Sequence, residues 1–297
     1  MHAPDAPLRL ESCACPLCGE APPARARVSF PPYRVVECPR CTLRFLSPRV
    51  AREDLGRLYE GGYWEGGGTE AGYASYAEME ALLAKTFARR LRWLGPPPAG
   101  GRLLDVGCGP GAGLDAARAA GWEAWGLDLS SEAVTRASAR HPGRVAQGTL
   151  EDSPFPAGSF DAITAFDLVE HVYEPRRFAA ALAAALKPGG SVLIATPNVE
   201  SLLSRATGRR WVSYKIPEHV TFFSRRTLAD ALAPTLTLVR AAPCGQHVSL
   251  PFLLERVGAA LPAGGGLLRA AARARTLSGL TLYANSGSML VRAVRAT

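Results

Sequence analysis

Apolar positions in this chain fall into short runs and helical stripes, with glycine and proline between them. Leu103–Val106 is a short strand-like run that enters Gly107-Cys108-Gly109-Pro110-Gly111 directly, and an alanine-rich helical pattern follows at Ala112–Ala120. Strand-like runs recur at Trp122–Leu127, Arg144–Gln147, Asp161–Phe166 and Ser191–Thr196, and a helical Ala/Leu pattern fills Phe178–Leu186. Strands alternating with helical patterns predict an α/β fold around a parallel sheet. Leu236–Arg240 and Ser288–Val294 read as two last, mutually antiparallel strands. Before this core, Tyr73–Leu94 carries Met79, Leu82, Leu83, Phe87, Leu91 and Leu94 on one helical stripe, and the Pro/Gly tract Gly95–Gly101 stops it.

The first fifty residues read differently. Cys15-Pro16-Leu17-Cys18 and Cys38-Pro39-Arg40-Cys41 form C-x2-C…C-x2-C, and Val28–Tyr33 with Tyr33–Glu37 alternate between them like a short hairpin. Each pair is a turn that aims two thiolates at one point. Four thiolates complete a tetrahedron with no open position, which predicts a structural rather than catalytic Zn2+. Two disulfides are the other option, and the absence of an export signal in Met1–Leu10 argues against them. The expected organisation is a zinc ribbon at 1–50, a linker and lead-in helix at 51–99 and a main domain at 100–297. Inserts on the acceptor side are expected near 200–225 and 244–285.

Charge changes the picture less than its size suggests. The net charge is +8, yet only Lys85, Lys187 and Lys215 are lysines and no dense basic run appears, which argues against nucleic acid as partner. No uncharged apolar run is long enough to span a bilayer, so a cytoplasmic protein is expected. Leu250–Leu280, apolar and basic and broken by Gly264-Gly265-Gly266, reads as an acceptor lid or homodimer surface, with anionic lipid contact as the alternative.

Glycines at 107, 109 and 111 let the backbone bend sharply and approach a ligand closely, while the next helix points its free N–H groups at it. The spacing alone also fits a dinucleotide fingerprint, because Gly107-x-Gly109-x-x-Ala112 satisfies it. Asp105-Val106-Gly107-Cys108-Gly109-Pro110-Gly111 closely resembles the cofactor loop of class I S-adenosylmethionine-dependent methyltransferases. Gly126-Leu127-Asp128, Phe160-Asp161-Ala162-Ile163 and Leu186-Lys187-Pro188-Gly189-Gly190 follow in that family's order. The resemblance implies a Rossmann-like, seven-stranded methyltransferase sheet. It implies cofactor contacts from Asp105, Gly107, Gly109, Gly111, Asp128, Leu150, Glu151 and Asp167, with Asp128 on the ribose. Asp128 also fits a helix N-cap position before Ser130-Ser131-Glu132. At the family's adenine turn the usual aspartate position holds Thr149, so Glu151 is the expected acid there.

Asp167-Leu168-Val169-Glu170-His171 resembles ubiquinone-type O-methyltransferases and related sugar C-methyltransferases. His171 reads as a base, an acceptor clamp or a satisfied helix-start histidine. Pro217-Glu218-His219 with Phe223-Ser224 resembles zinc-bearing sugar C-methyltransferases, implying that Glu218 and His219 face the acceptor; buried scaffolding is the alternative. Glu218, His219 and His171 are thus the candidate bases for a small hydroxylated acceptor, a sugar or glycan intermediate. Arg205, Arg209 and Arg210 are placed to hold its phosphate or carboxylate. Tyr63, Trp64, Tyr73 and Tyr76 read either as surface linker or as acceptor contacts. The rival functions are an RNA methyltransferase with a zinc-ribbon module and a non-catalytic S-adenosylmethionine-binding protein.

Overall fold

The computed structural model describes residues 8–23, 25–55, 57, 76–260, 265–272, 277 and 279–296. Tyr63, Trp64 and Tyr73, the tip Gly264 and the side chain of Tyr76 lie outside the described residues. The chain begins with β1 (Leu10–Glu11), β2 (Val28–Phe30), β3 (Tyr33–Glu37), β4 (Arg44–Leu46) and β5 (Arg49–Val50). The lead-in helix α1 (Tyr76–Leu91) follows, and then the core alternates β6 (Arg102–Val106), α2 (Ala112–Ala119), β7 (Glu123–Asp128), α3 (Ser131–Arg140), β8 (Val145–Gln147) and β9 (Phe160–Phe166). Next come α4 (Pro175–Ala185), β10 (Leu186–Pro197), α5 (Leu202–Thr207), β11 (Thr221–Phe222) and α6 (Arg225–Leu232). The chain closes with β12 (Leu236–Ser249), α7 (Leu250–Ala260), α8 (Gly265–Ala272) and β13 (Thr281–Arg295).

Seven strands form the main sheet in the order β12-β13-β10-β9-β6-β7-β8. β6 pairs in parallel with β7 and with β9, and only β13 runs antiparallel, between β10 and β12. This is the Rossmann-like arrangement that the alternating pattern predicts. The order reverses between β6 and β9, and ligands of open α/β sheets gather above such a switch point, at the strands' carboxyl ends. Leu104, Ile163 and Ile194 are fully buried in the sheet, and Phe178 and Leu182 of α4 pack in the same apolar cluster.

Two departures from the sequence pattern have physical causes. Pro175 sits in the first turn of α4, where its missing N–H costs nothing, so the helix starts before Phe178. The last two strands run well past the expected 236–240 and 288–294. β12 passes through a bulge at Gly245, where a Cβ would lie 2.2 Å from the Ala284 carbonyl oxygen, and pairing then resumes from Gln246↔Ala284 to Ser249↔Thr281. Only glycine allows that backbone approach. The β12–β13 ribbon therefore projects beyond Pro197, whose partner is Ser288.

The N-terminal strands do not close on themselves. Their four-stranded sheet has the order β11-β4-β3-β2, so its edge strand comes from the segment after β10. Thr221 pairs with Phe45 and Phe222 with Arg44, and Leu46 N–H donates to the Val220 carbonyl. Leu17, Val36, Leu43 and Phe45 share one apolar cluster with the main sheet. The other face of this small sheet packs Val35, Leu46 and Phe222 against Val199 and Trp211.

Candidate active site

At the switch point, β6 ends in a loop whose three glycines all have positive φ: Gly107 at 73°, Gly109 at 52° and Gly111 at 100°. The loop is tied to the neighbouring strand by the Asp128 carboxylate, which accepts from Gly109 N–H at 2.8 Å and from Ser130 N–H at 2.9 Å. Ser130 is itself the N-cap of α3, accepting from Ala133 N–H, so Asp128 is not the cap. Burial pushes the Asp128 carboxyl above its ordinary range, and its backbone donors pull the other way. A ribose diol donates two hydroxyls, and a two-oxygen acceptor beside a glycine turn matches it. The loop and Asp128 therefore fit an adenosine cofactor.

Asp105 is placed differently from a direct ligand. It is fully enclosed, its Oδ1 accepts from Thr164 Oγ1 at 2.6 Å, and burial raises its pKa to about 7. Its Oδ2 lies where a Cβ on Gly113 would come, 2.1 Å away. The carboxyl thus braces β6 against β9 and α2 beneath the loop. Leu150 is buried in the main apolar cluster, and Glu151 is half-buried in the turn after β8, where Thr149 Oγ1 donates to Asp152.

Asp167 ends β9 with φ 53°, its N–H donating to the Ala195 carbonyl at 2.7 Å. Arg90 of α1, almost wholly buried, reaches its Oδ2 at 2.9 Å and lies over the Phe166 ring. Asp167 keeps about half of its side chain exposed, which leaves it available to a ligand above β9.

Glu170 and His171 follow in a 3-10 turn, Val169–His171. The Glu170 Oε2 accepts from Thr196 Oγ1 at 2.9 Å, and burial with the nearby Asp167 charge lifts its pKa to about 8. His171 Nδ1 lies 3.0 Å from the Glu218 carbonyl and His219 Nδ1 lies 2.9 Å from the Ser213 carbonyl. A carbonyl only accepts, so both Nδ1 atoms carry the proton and both Nε2 atoms are the basic nitrogens. The rings meet edge to face with centroids 4.7 Å apart. Burial, reinforced by Lys215, brings His171 down to about 4; burial, His171 and Lys215 hold His219 well below its ordinary value. Glu170, His171 and His219 present donor atoms within 4.8 Å of one another, close enough to share one proton or one cation. Glu218 enters this arrangement through its carbonyl; its half-buried carboxyl makes no hydrogen bond among the described residues.

Away from this crevice, the four ribbon cysteines converge as their spacing predicts. Cys15 and Cys41 Sγ are 3.4 Å apart, Cys18 and Cys38 3.5 Å, and all four lie within 4.8 Å of one another with none in a disulfide. Tetrahedral Zn–S bonds of about 2.3 Å need sulfurs just under about 4 Å apart, so the donor set fits Zn2+. Gly113, Arg90 and Thr196 escape sequence reasoning, and Glu170 enters it only as part of the resembling string Asp167–His171, not as a buried partner of the histidines. A charge inside an apolar run, as at Glu170, is the one signal that was present.

The sequence matches the family described as Methyltransferase domain over residues 74–234, more than half of the chain. It is 35% identical over 138 residues to the ubiquinone biosynthesis O-methyltransferase of Thiobacillus denitrificans, a match covering 43% of this chain and 60% of that one. A probable S-adenosylmethionine-dependent methyltransferase of Mycolicibacterium smegmatis is 34% identical over 101 residues, 34% of this chain and 39% of that one. The chain thus spans no more than about three-fifths of the length of these relatives. Among solved structures, a chain from the complex of the Haloferax volcanii Trm112 methyltransferase activator with a methyltransferase superposes with TM-score 0.53 at 23% identity, covering 74% of this chain and 92% of that one. Geranyl diphosphate C-methyltransferase of Streptomyces coelicolor gives TM-score 0.50 at 20% identity, covering 84% of this chain and 90% of that one. With the glycine loop, Asp128 and the seven-stranded order already in place, these matches make the chain a member of the class I S-adenosylmethionine-dependent methyltransferases.

Proposed function

We propose that this chain transfers a methyl group from S-adenosylmethionine to a small hydroxylated metabolite, a sugar or glycan intermediate, and that Cys15, Cys18, Cys38 and Cys41 hold a structural Zn2+. The observation that carries the acceptor side is the pair of imidazoles, His171 and His219. Each is oriented through Nδ1 by a backbone carbonyl, beside Glu170 at the carboxyl ends of β9 and β10. The ubiquinone relatives are named O-methyltransferases, which fits a hydroxyl nucleophile.

When bound, the cofactor supplies an electrophilic methyl group on a sulfonium, so the protein's work is alignment and removal of one proton. Asp128 would hold the ribose, while Gly107, Gly109 and Gly111 let the backbone come close. Asp167, steadied by Arg90 and about half exposed, would contact the cofactor. An imidazole Nε2 of His171 or His219 would take the proton from the acceptor hydroxyl. Burial keeps both rings neutral at pH 7, so the acceptor nitrogen is available. Arg205, Arg209 and Arg210, exposed on and after α5, would meet an anionic group of the acceptor.

Labelled cofactor with a panel of nucleotide-sugars tests the reaction. In His219→Gln, cofactor binding and melting temperature should stay near parent while turnover falls by roughly a hundred-fold or more. Near-parent turnover in folded His219→Gln with loss in His171→Gln moves the base to His171. A lowered melting temperature with parental turnover per folded molecule assigns His219 to scaffolding.

A further inference from the structure

Helix α1 presents two faces of opposite character. Phe87, Arg90 and Leu91 turn inward, towards Phe166 and Asp167. Lys85 and Arg89, spaced i, i+4, with Arg92 just past the helix end, turn outward and are exposed. With Ala88 and with His247 of β12 they line a cavity of about 260 Å3 that contains no acidic residue. None of the three cations has an ion-pair partner among the described residues, whereas Arg136 and Arg226 on other helices pair with Glu132 and Asp230 one turn away. Like charges at this spacing repel one another, and no acidic side chain among the described residues pairs with them.

The cavity is also rigid. The Arg89 guanidinium carbon lies over the Tyr283 ring, 4.3 Å from its centroid, a cation–π contact that steadies the side chain. The Tyr283 hydroxyl accepts from Gly245 N–H at 2.8 Å. Thr86 Oγ1 accepts from His247 N–H at 2.8 Å and donates to the Leu82 carbonyl, pinning the wall of β12 to α1. Tyr283 and His247 belong to the part of the β12–β13 ribbon that overhangs the sheet. That overhang, with the Gly245 bulge that forms it, supplies the wall beside the cations.

We propose that Lys85, Arg89 and Arg92, with His247 behind them, form a binding site for a phosphoryl or diphosphoryl group, separate from the methyl-transfer crevice. Three cations lining one cavity suit an anion of two or more charges with oxygens in several directions, and the Arg89 guanidinium offers bidentate donors. A phosphorylated metabolite and a phospholipid headgroup both carry this chemistry.

Calorimetry with inorganic diphosphate, in saturating S-adenosylmethionine so that the glycine loop is occupied, should give one saturable site. The Lys85→Gln/Arg89→Gln/Arg92→Gln variant should lose at least about tenfold in affinity, the scale expected when charge-assisted bonds are removed. Its melting temperature should match the parent, since all three side chains are exposed. Arg136→Gln/Arg226→Gln, which removes paired charge elsewhere, should bind as the parent does. Sedimentation with phosphatidylcholine vesicles, with and without phosphatidylglycerol, separates the sources. Phosphatidylglycerol-dependent sedimentation that the triple variant loses and diphosphate competes away assigns a lipid headgroup. Diphosphate binding without sedimentation assigns a free metabolite. No saturable diphosphate binding, or equal loss in the Arg136/Arg226 control, would overturn the proposal.

Discussion

At Gly113 an ordinary rule of helix energetics changes sign. In a helix interior, Gly→Ala normally stabilises by about 0.5–1 kcal/mol, because alanine loses less backbone entropy. Here the new methyl would sit 2.1 Å from Asp105 Oδ2, and that carboxyl cannot retreat without giving up Thr164. Gly113→Ala should therefore lower the melting temperature and weaken cofactor binding together, because the displaced Asp105 underlies the glycine loop. A variant that melts at or above the parent temperature would show that Asp105 has room to move. Gly107, Gly109 and Gly111 were legible because a strand running into a glycine-dense turn is a local pattern. Gly113 was not, because its requirement comes from a side chain eight positions earlier, on the preceding strand. The same holds for Arg90 of α1, whose partner Asp167 follows β9 far along the chain, and for Thr196 with Glu170.

At the scale of elements, the parallel core strands were readable from their apolar runs, with ends shifted by a residue or two, except that β10 begins at Leu186, five residues before the expected Ser191. The pairing of β11 with β4 was not, since two residues carry no periodicity and the partner lies far back in the chain. That pairing joins the cysteine cluster to the proposed base. β4 follows Cys41 closely, β11 begins two residues after His219, and Val220 N–H donates to the Glu170 carbonyl at 2.9 Å. Removing the proposed Zn2+ should thus loosen β3 and β4, and with them β11 and the seat of His219. The glycine loop and Asp128, carried by β6 and β7, lie outside this path. Exhaustive treatment with a zinc chelator is expected to cut turnover sharply while S-adenosylmethionine affinity stays within a few-fold of parent. Full turnover in metal-free protein would uncouple the ribbon from the site.

Across the whole molecule, buried ionisable groups set how stability varies with pH. Asp105 and Glu170 hold their protons more tightly folded than unfolded, with folded values of about 7 and about 8 against ordinary values of 3.8 and 4.5. They remove stability as pH rises through that interval, and Asp128 acts in the same direction. His171 and His219 act oppositely: their values fall on folding, so their stabilising effect grows as pH rises towards the ordinary histidine range and is complete above about 6.5. The two sets oppose each other below about pH 6.5, and between there and about pH 8 the carboxyls act alone. The melting temperature should fall across that upper window, and Asp105→Asn/Glu170→Gln should flatten the fall. A parent profile already flat there would contradict the burial of these carboxyls. The shared sheet has a further consequence, for biosynthesis. Residues 28–46 leave the ribosome long before 221–222, so the hydrogen-bonding edge of Arg44–Leu46 waits unpaired through most of translation. An open strand edge is a template for other chains, so the nascent ribbon calls for chaperone cover until β11 is made.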